Sequence, residues 1–311
     1  MKKLLSTMAV LVALSAQAQQ FEVVSMQRLK AGTQAENFHP VFTPDGNSLI
    51  VTSEEFNGIG IIDLQSKDFT RLTDMAGAGY KVAISEDGKK ILAHEIDGMS
   101  QTASLYSIDI ASKEITPIVK DVEHFNNVNV LNGAAVFAVE GRAMVRQVAG
   151  KVLSPKAVTV SNSGPFVTEE DLKLVVYNNG KRTVVDPFST PDYDAQYCWS
   201  SVSPDGTKLL FVSGNNAFVT DLNGNNAVDL GPLHAPKWRG NDYVVAMLDD
   251  DDGYFYTSSE IVIIGADGKN MQQLTTTSKE IKMFPSVSNA GDKIAYHTIE
   301  GNIYVMTIKQ K

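Results

Sequence analysis

The chain carries five histidines, His39, His94, His124, His234 and His297. Imidazole titrates near neutrality and ligates divalent metals, so a converging set of histidines would serve acid–base chemistry or a metal. Their spacing alone points to neither, because no H-x-H or H-E-x-x-H pattern occurs. Carboxylates form runs at Glu54-Glu55, Glu95 with Asp97, Glu169-Glu170-Asp171 and Asp249 to Asp252. Such runs bind calcium, steer a cationic ligand, or simply solvate a loop. The run Asp249 to Gly253 lacks the alternating ligand spacing of a calcium loop. No cofactor is expected, although the acids leave room for a divalent cation such as calcium. Tyr254, Phe255 and Tyr256 follow that run and suit either a contact surface or the cover of a neighbouring element. No G-x-S-x-G nucleophile elbow is present. The one cysteine, Cys198, reads as a small buried hydrophobe beside Trp199.

These residues are carried by a repeated turn. Ser203-Pro204-Asp205-Gly206 joins two apolar runs, Trp199 to Val202 and Leu209 to Val212. Pro presets φ, Asp bonds back to its own backbone and Gly takes the φ > 0 position, so the unit is a β-hairpin. Copies occur at Thr43-Pro44-Asp45-Gly46, at Ser85-Glu86-Asp87-Gly88 and at Ser288-Asn289-Ala290-Gly291, with a worn copy around Gly240-Asn241-Asp242. By the same logic Gly206 should resist substitution far more than Gly224, which sits in an Asn-rich loop expected to be more exposed.

The turn glycines step by 42 residues from Gly46 to Gly88 and by 85, two repeats, from Gly206 to Gly291. The 118 residues between Gly88 and Gly206 hold two worn repeats. A fixed period of this length, with no helical periodicity, predicts an all-β propeller of four-stranded blades. Seven blades fit best and six are the runner-up. The last repeat supplies only three strands, while Phe21 to Leu29 is a strand with no hairpin partner. That N-terminal strand is expected to complete the last blade and close the ring, which removes exposed sheet edges. Loops alternate between faces in a meander. His39, His124 and His234 begin first strands, and His94 and His297 end second strands. All five therefore fall on the face opposite the Pro-Asp-Gly turns, here called the top. First-strand starts should ring the channel mouth at His39, Lys81, Asn126, Ala157, Trp199, Ala235 and Phe284, with Tyr80 and Cys198 among the residues one earlier.

The S-P-D-G-x-x-L turn, the strand Ile303-Tyr304-Val305-Met306 and the endings Leu72-Thr73 and Leu274-Thr275 resemble the WD40-like repeat of TolB-type β-propellers. The resemblance covers most of the chain. It implies the fold and says little of function, since propellers host many unrelated sites. TolB proteins also carry an N-terminal α/β domain, which this chain is expected to lack.

Met1-Lys2-Lys3, the apolar Leu4 to Leu14 and Ala16-Gln17-Ala18 together read as a secretory signal peptide over residues 1–18, cut before Gln19. Residues 19–311 are then a single propeller domain, periplasmic or secreted and expected to be a monomer. No later stretch is apolar enough to span a membrane. The formal charge of −9 argues against nucleic acid. The expected function is non-catalytic binding of a protein, peptide or glycan on the top face. The expected site comprises His39, Tyr80, Lys81, His94, His124, Trp199, His234, Asp252, Tyr254, Tyr256 and His297. The alternative is a propeller polysaccharide lyase or glycoside hydrolase using the top-face histidines.

Overall fold

The computed structural model describes residues 20–29, 37–97, 102–122, 128–131, 134–139, 142–148, 164–276 and 279–311. The expected leader, His124, Asn126 and Ala157 lie outside them. Among the described residues every regular element is a strand.

β1 (Phe21–Arg28) comes first. β2 (Phe38–Phe42), β3 (Ser48–Thr52), β4 (Ile59–Asp63) and β5 (Phe69–Thr73) form an antiparallel sheet in chain order. So do β6 (Ala83–Ile84), β7 (Lys90–Asp97), β8 (Thr102–Asp109) and β9 (Ile115–Val122). Two three-stranded sheets follow. The first holds β10 (Asn129–Leu131), β11 (Ala134–Val139) and β12 (Arg142–Gln147). The second holds β13 (Phe166–Glu170), β14 (Lys173–Asn178) and β15 (Lys181–Val185). The next sheet comprises β16 (Tyr197–Val202), β17 (Lys208–Ser213), β18 (Asn216–Asp221) and β19 (Val228–Gly231). After it come β20 (His234–Arg239), β21 (Tyr243–Asp251), β22 (Tyr256–Gly265) and β23 (Gln272–Gln273). The last sheet is β24 (Lys282–Val287), β25 (Lys293–Thr298) and β26 (Ile303–Gln310), with β1 paired antiparallel to β26.

The second strand of each sheet carries a continuous buried run, as an inner strand flanked by neighbouring sheets must. Leu209 to Val212 and Val244 to Met247 are examples. The core is divided among clusters that lie between sheets, and each cluster joins two sheets consecutive in the chain. Ile50 and Ile59 pack on Ile91 and Ile108, and Leu210 and Val219 pack on Val244 and Val262. One cluster joins the last sheet to the first through Leu29, Ala295 and Ile303 against Leu49, Val51 and Ile62.

The repeated turn is built by its hydroxyl and its carboxylate. Thr43, Ser85 and Ser203 each donate to the turn aspartate, Asp45, Asp87 and Asp205, at 2.6 Å. Each hydroxyl also accepts the amide of the residue that starts the second strand. These bonds hold all three carboxyls below the usual range. On this face the carboxylates serve turn geometry.

Gly206 and Gly224 differ less than their sequence context suggests. Both lie in the left-handed region, at φ +73 and +82. A Cβ on Gly224 would meet Val185 Cγ1 at 2.7 Å, closer than the 3.2 Å to Pro165 Cγ at Gly206. Gly206→Val and Gly224→Val should therefore destabilise to a similar degree, each by about 2 kcal/mol or more. Urea unfolding checks this, and an unshifted midpoint for Gly224→Val would contradict it. Several acidic residues expected in loops lie on strands instead. Glu95 is in β7, Glu169 and Glu170 are in β13, and Asp249 to Asp251 are in β21.

Candidate functional site

The first strands do not run straight. At His39, Lys81, Trp199, Ala235 and Phe284 the backbone is left-handed, with φ of 50, 48, 52, 45 and 49. In four of these strands the ladder to the second strand slips at that point, between Phe38 and Val41, Cys198 and Ser201, His234 and Lys237, and Met283 and Ser286. Each is a β-bulge, which bends a strand and re-aims a side chain. All five left-handed residues line one cavity of about 410 Å³. Non-glycine residues at positive φ are strained and persist only where their surroundings hold them.

Of the expected site residues, His39, Tyr80, Lys81 and Trp199 line this cavity. His39 stacks on Phe56 at 4.2 Å and meets Phe284 at 4.8 Å and His297 at 4.9 Å. Burial, then the neighbouring His297, pushes His39 down to about 3. His94 is buried behind Tyr80 and donates from Nδ1 to its carbonyl at 2.9 Å. His297 is buried behind His39 and donates from Nδ1 to the Thr298 carbonyl at 2.9 Å. Burial pushes each of these two down to about 4. All three are therefore neutral packing groups at pH 7.

His234 differs. Its Nδ1 lies 2.9 Å from both oxygens of Asp249, which raises its pKa, and its ring lies 5.7 Å from Trp199. Among the described residues no three His, Cys, Asp or Glu side chains group as a cation site.

Asp252, Tyr254 and Tyr256 sit apart, at the tip of the β21–β22 hairpin. Asp252 Oδ1 accepts the amides of Tyr254 and Phe255 at 3.0 and 2.9 Å, so its carboxylate shapes the turn. Tyr254 is 90% exposed and Phe255 75%, whereas Tyr256 is half-buried against the core.

No protein-family model and no curated protein matches the sequence. Solved structures do match the fold. TolB from Acinetobacter baumannii is 14% identical with a TM-score of 0.48, over 88% of this chain and 55% of that one. This chain thus spans about half the length of TolB. The β-propeller domain of Cps50 (Swd1) from Myceliophteria thermophila is 12% identical with a TM-score of 0.58, over 93% of this chain and 100% of that one. The chain is a β-propeller.

The propeller's axial cavity contains residues that the sequence did not single out. Phe56 reaches it from the β3–β4 loop, and Lys237 lines it two residues beyond the bulge at Ala235. Glu169, from the acidic run named in the sequence, pairs with the cavity residue Lys81 at 3.4 Å and accepts the Ser200 amide at 2.8 Å. Trp238 packs between two sheets and also lines the cavity. Cys198 is exposed, contrary to the buried role read from the sequence. One sequence signal was available for the bulges. Pro40, Pro236 and Pro285 follow three of the five left-handed residues, and a proline inside a strand marks a bulge or an edge.

Proposed function

We propose that the protein is an exported, non-catalytic propeller that binds a protein, peptide or glycan in its axial cavity, from the top face. The observation that carries this reading is the convergence on one cavity of five left-handed positions at the starts of first strands, four of them β-bulges. Bulges recur where a strand must present a side chain, and a cavity of about 410 Å³ falls in the range that holds small ligands or the end of a larger one. Aromatic walls beside a few polar groups suit such binding.

Two further parts of the reading concern the ring and the address. The propeller is a closed ring of seven blades completed by β1. Support comes from the inter-sheet clusters, one of which joins the last sheet to the first, and from the pairing of β1 with β26. Residues 1–18 are the cleaved leader that delivers the domain, as a monomer, to the periplasm or the exterior.

Binding to glycan and peptide arrays tests the function. Trp199→Ala should weaken any ligand by about tenfold or more, as removal of a central aromatic anchor does. A double Tyr254→Ser, Phe255→Ser variant should bind as the wild type does. Loss only in the hairpin variant would move the site to that tip and overturn the reading.

The second reading, a polysaccharide lyase or glycoside hydrolase, is favoured by the His234–Asp249 pair. A carboxylate that fixes Nδ1–H orients the ring as general bases are oriented. A turnover screen with and without chelator decides it. Activity abolished by His234→Gln would establish catalysis and would show whether a divalent cation takes part.

A further inference from the structure

The axial cavity has a surplus of donors on one wall. Lys237 is exposed and lines the cavity. Among the described residues no hydrogen bond or ion pair engages its ammonium. Glu169, the opposing charge, is already engaged by Lys81 and by the Ser200 amide.

Two neutral donors share this wall. Ser201 Oγ and Trp238 Nε1 are buried without a hydrogen-bond partner, and both residues line the cavity. Ser201 lies two residues beyond the bulge at Trp199, as Lys237 lies two beyond Ala235. The two are equivalent positions on the neighbouring first strands β16 and β20. Buried polar groups are rarely left unpaired, and each orphan calls for an explanation. Two buried donors without an acceptor and a lysine without a partner, all on residues lining one cavity, call for an oxygen-rich anion. A single unpaired lysine with no arginine among the lining residues suits one negative charge better than a phosphate, which usually draws bidentate arginine. Phe56, Tyr80 and Phe284 line the same cavity and suit an apolar body.

We propose that the axial cavity binds a carboxylate with an apolar body, the carboxylate seated on Lys237, Ser201 and Trp238. This rests on reading the cavity as the binding site. The group would come from a free small acid or from the C-terminal end of a peptide.

The only two tryptophans of the chain, Trp199 and Trp238, both line the cavity, so tryptophan emission reports on it alone. The test titrates the full propeller at low salt with two pairs of probes. One pair is 3-phenylpropionate and its amide, for the free acid. The other is Ala-Ala-Phe and its C-terminal amide, for the peptide end. At least one acid should give a saturable change and bind about tenfold or more tighter than its amide, as expected when a hydrogen bond to a charged group is lost. The stronger pair identifies the source. Lys237→Met and Lys237→Gln, each first shown to melt no lower than the wild type, should abolish the preference. Equal binding of acid and amide in both pairs would overturn the carboxylate while leaving the cavity a binding site. No saturable response to either acid, or a preference that survives both Lys237 variants, would also overturn it. The effect of Trp199→Ala on the arrays tests the proposed function separately.

Discussion

A chain truncated to begin after Arg28 is expected to lose cooperative folding and to aggregate. The removed strand β1 pairs with β26 over seven residue pairs. Phe21 is 2% exposed and anchors the cluster between the last two sheets. The Arg239 guanidinium lies 4.6 Å from the centre of its ring, and Tyr243 meets it edge-on at 4.9 Å. Gln272 closes the anchor, accepting the Phe21 amide at 3.0 Å and donating to its carbonyl at 2.7 Å. Losing the buried phenylalanine alone costs about 3–5 kcal/mol, against a total stability of roughly 5–15 kcal/mol. Truncation would also leave β26 as an unpaired edge beside Ile303, Met306 and Ile308, a template for association. Size-exclusion chromatography with light scattering, together with thermal melting, reads this. A soluble monomer that melts like the full chain would show that β1 is dispensable.

The second large effect is acid lability above the range where carboxylates titrate. His39 stands at about 3 and His94 and His297 at about 4 in the fold, against about 6.5 in an unfolded chain. Below pH 6.5 the unfolded chain takes up protons that the folded chain refuses, so stability falls as pH falls toward the folded values. At pH 5 the loss is about 2 kcal/mol for each group, or roughly 6 kcal/mol for the three at most. His234 acts in the opposite sense. Asp249 raises its pKa, so its contribution is present below pH 6.5 and is lost as pH rises through the raised value, which offsets part of the fall in acid. The turn carboxylates Asp45, Asp87 and Asp205 are held below the usual range, so they contribute nothing to the interval from pH 6.5 to 5. The melting temperature should drop by about 10 °C across that interval. His94→Asn and His297→Asn should each flatten the dependence, and a melting temperature constant from pH 7 to 5 would contradict the assignment.

The architecture was legible because its signals are local. A turn such as Ser203-Pro204-Asp205-Gly206 declares its own geometry, and its spacing from Gly46 to Gly88 and from Gly206 to Gly291 gives the repeat. The five described channel positions were reachable by the same spacing, since aligning on the turn glycines puts His39, Lys81, Trp199, Ala235 and Phe284 in register. Their left-handed backbone was not legible, because a bulge depends on how a strand fits its neighbour. Lys237 was missed because it looked like part of a worn turn repeat, and only the bulge at Ala235 puts it in the cavity. The histidines misled for a related reason. Imidazole is equally at home in a core, and only burial separates His94 and His297 from His234. Gly224 was misjudged because Val185, which crowds it, lies in another sheet.

The central claim is that ligand enters among the bulged first strands and not at the Pro-Asp-Gly face. Hydrogen–deuterium exchange, with and without the strongest ligand from the arrays, tests it most directly. The account predicts slowed exchange in peptides covering residues 38–41, 80–83, 198–201, 235–238 and 284–286, with residues 43–47, 85–89 and 203–207 unchanged. Protection confined to those turn segments, with the five cavity segments unaffected, would place the site on the opposite face and contradict it.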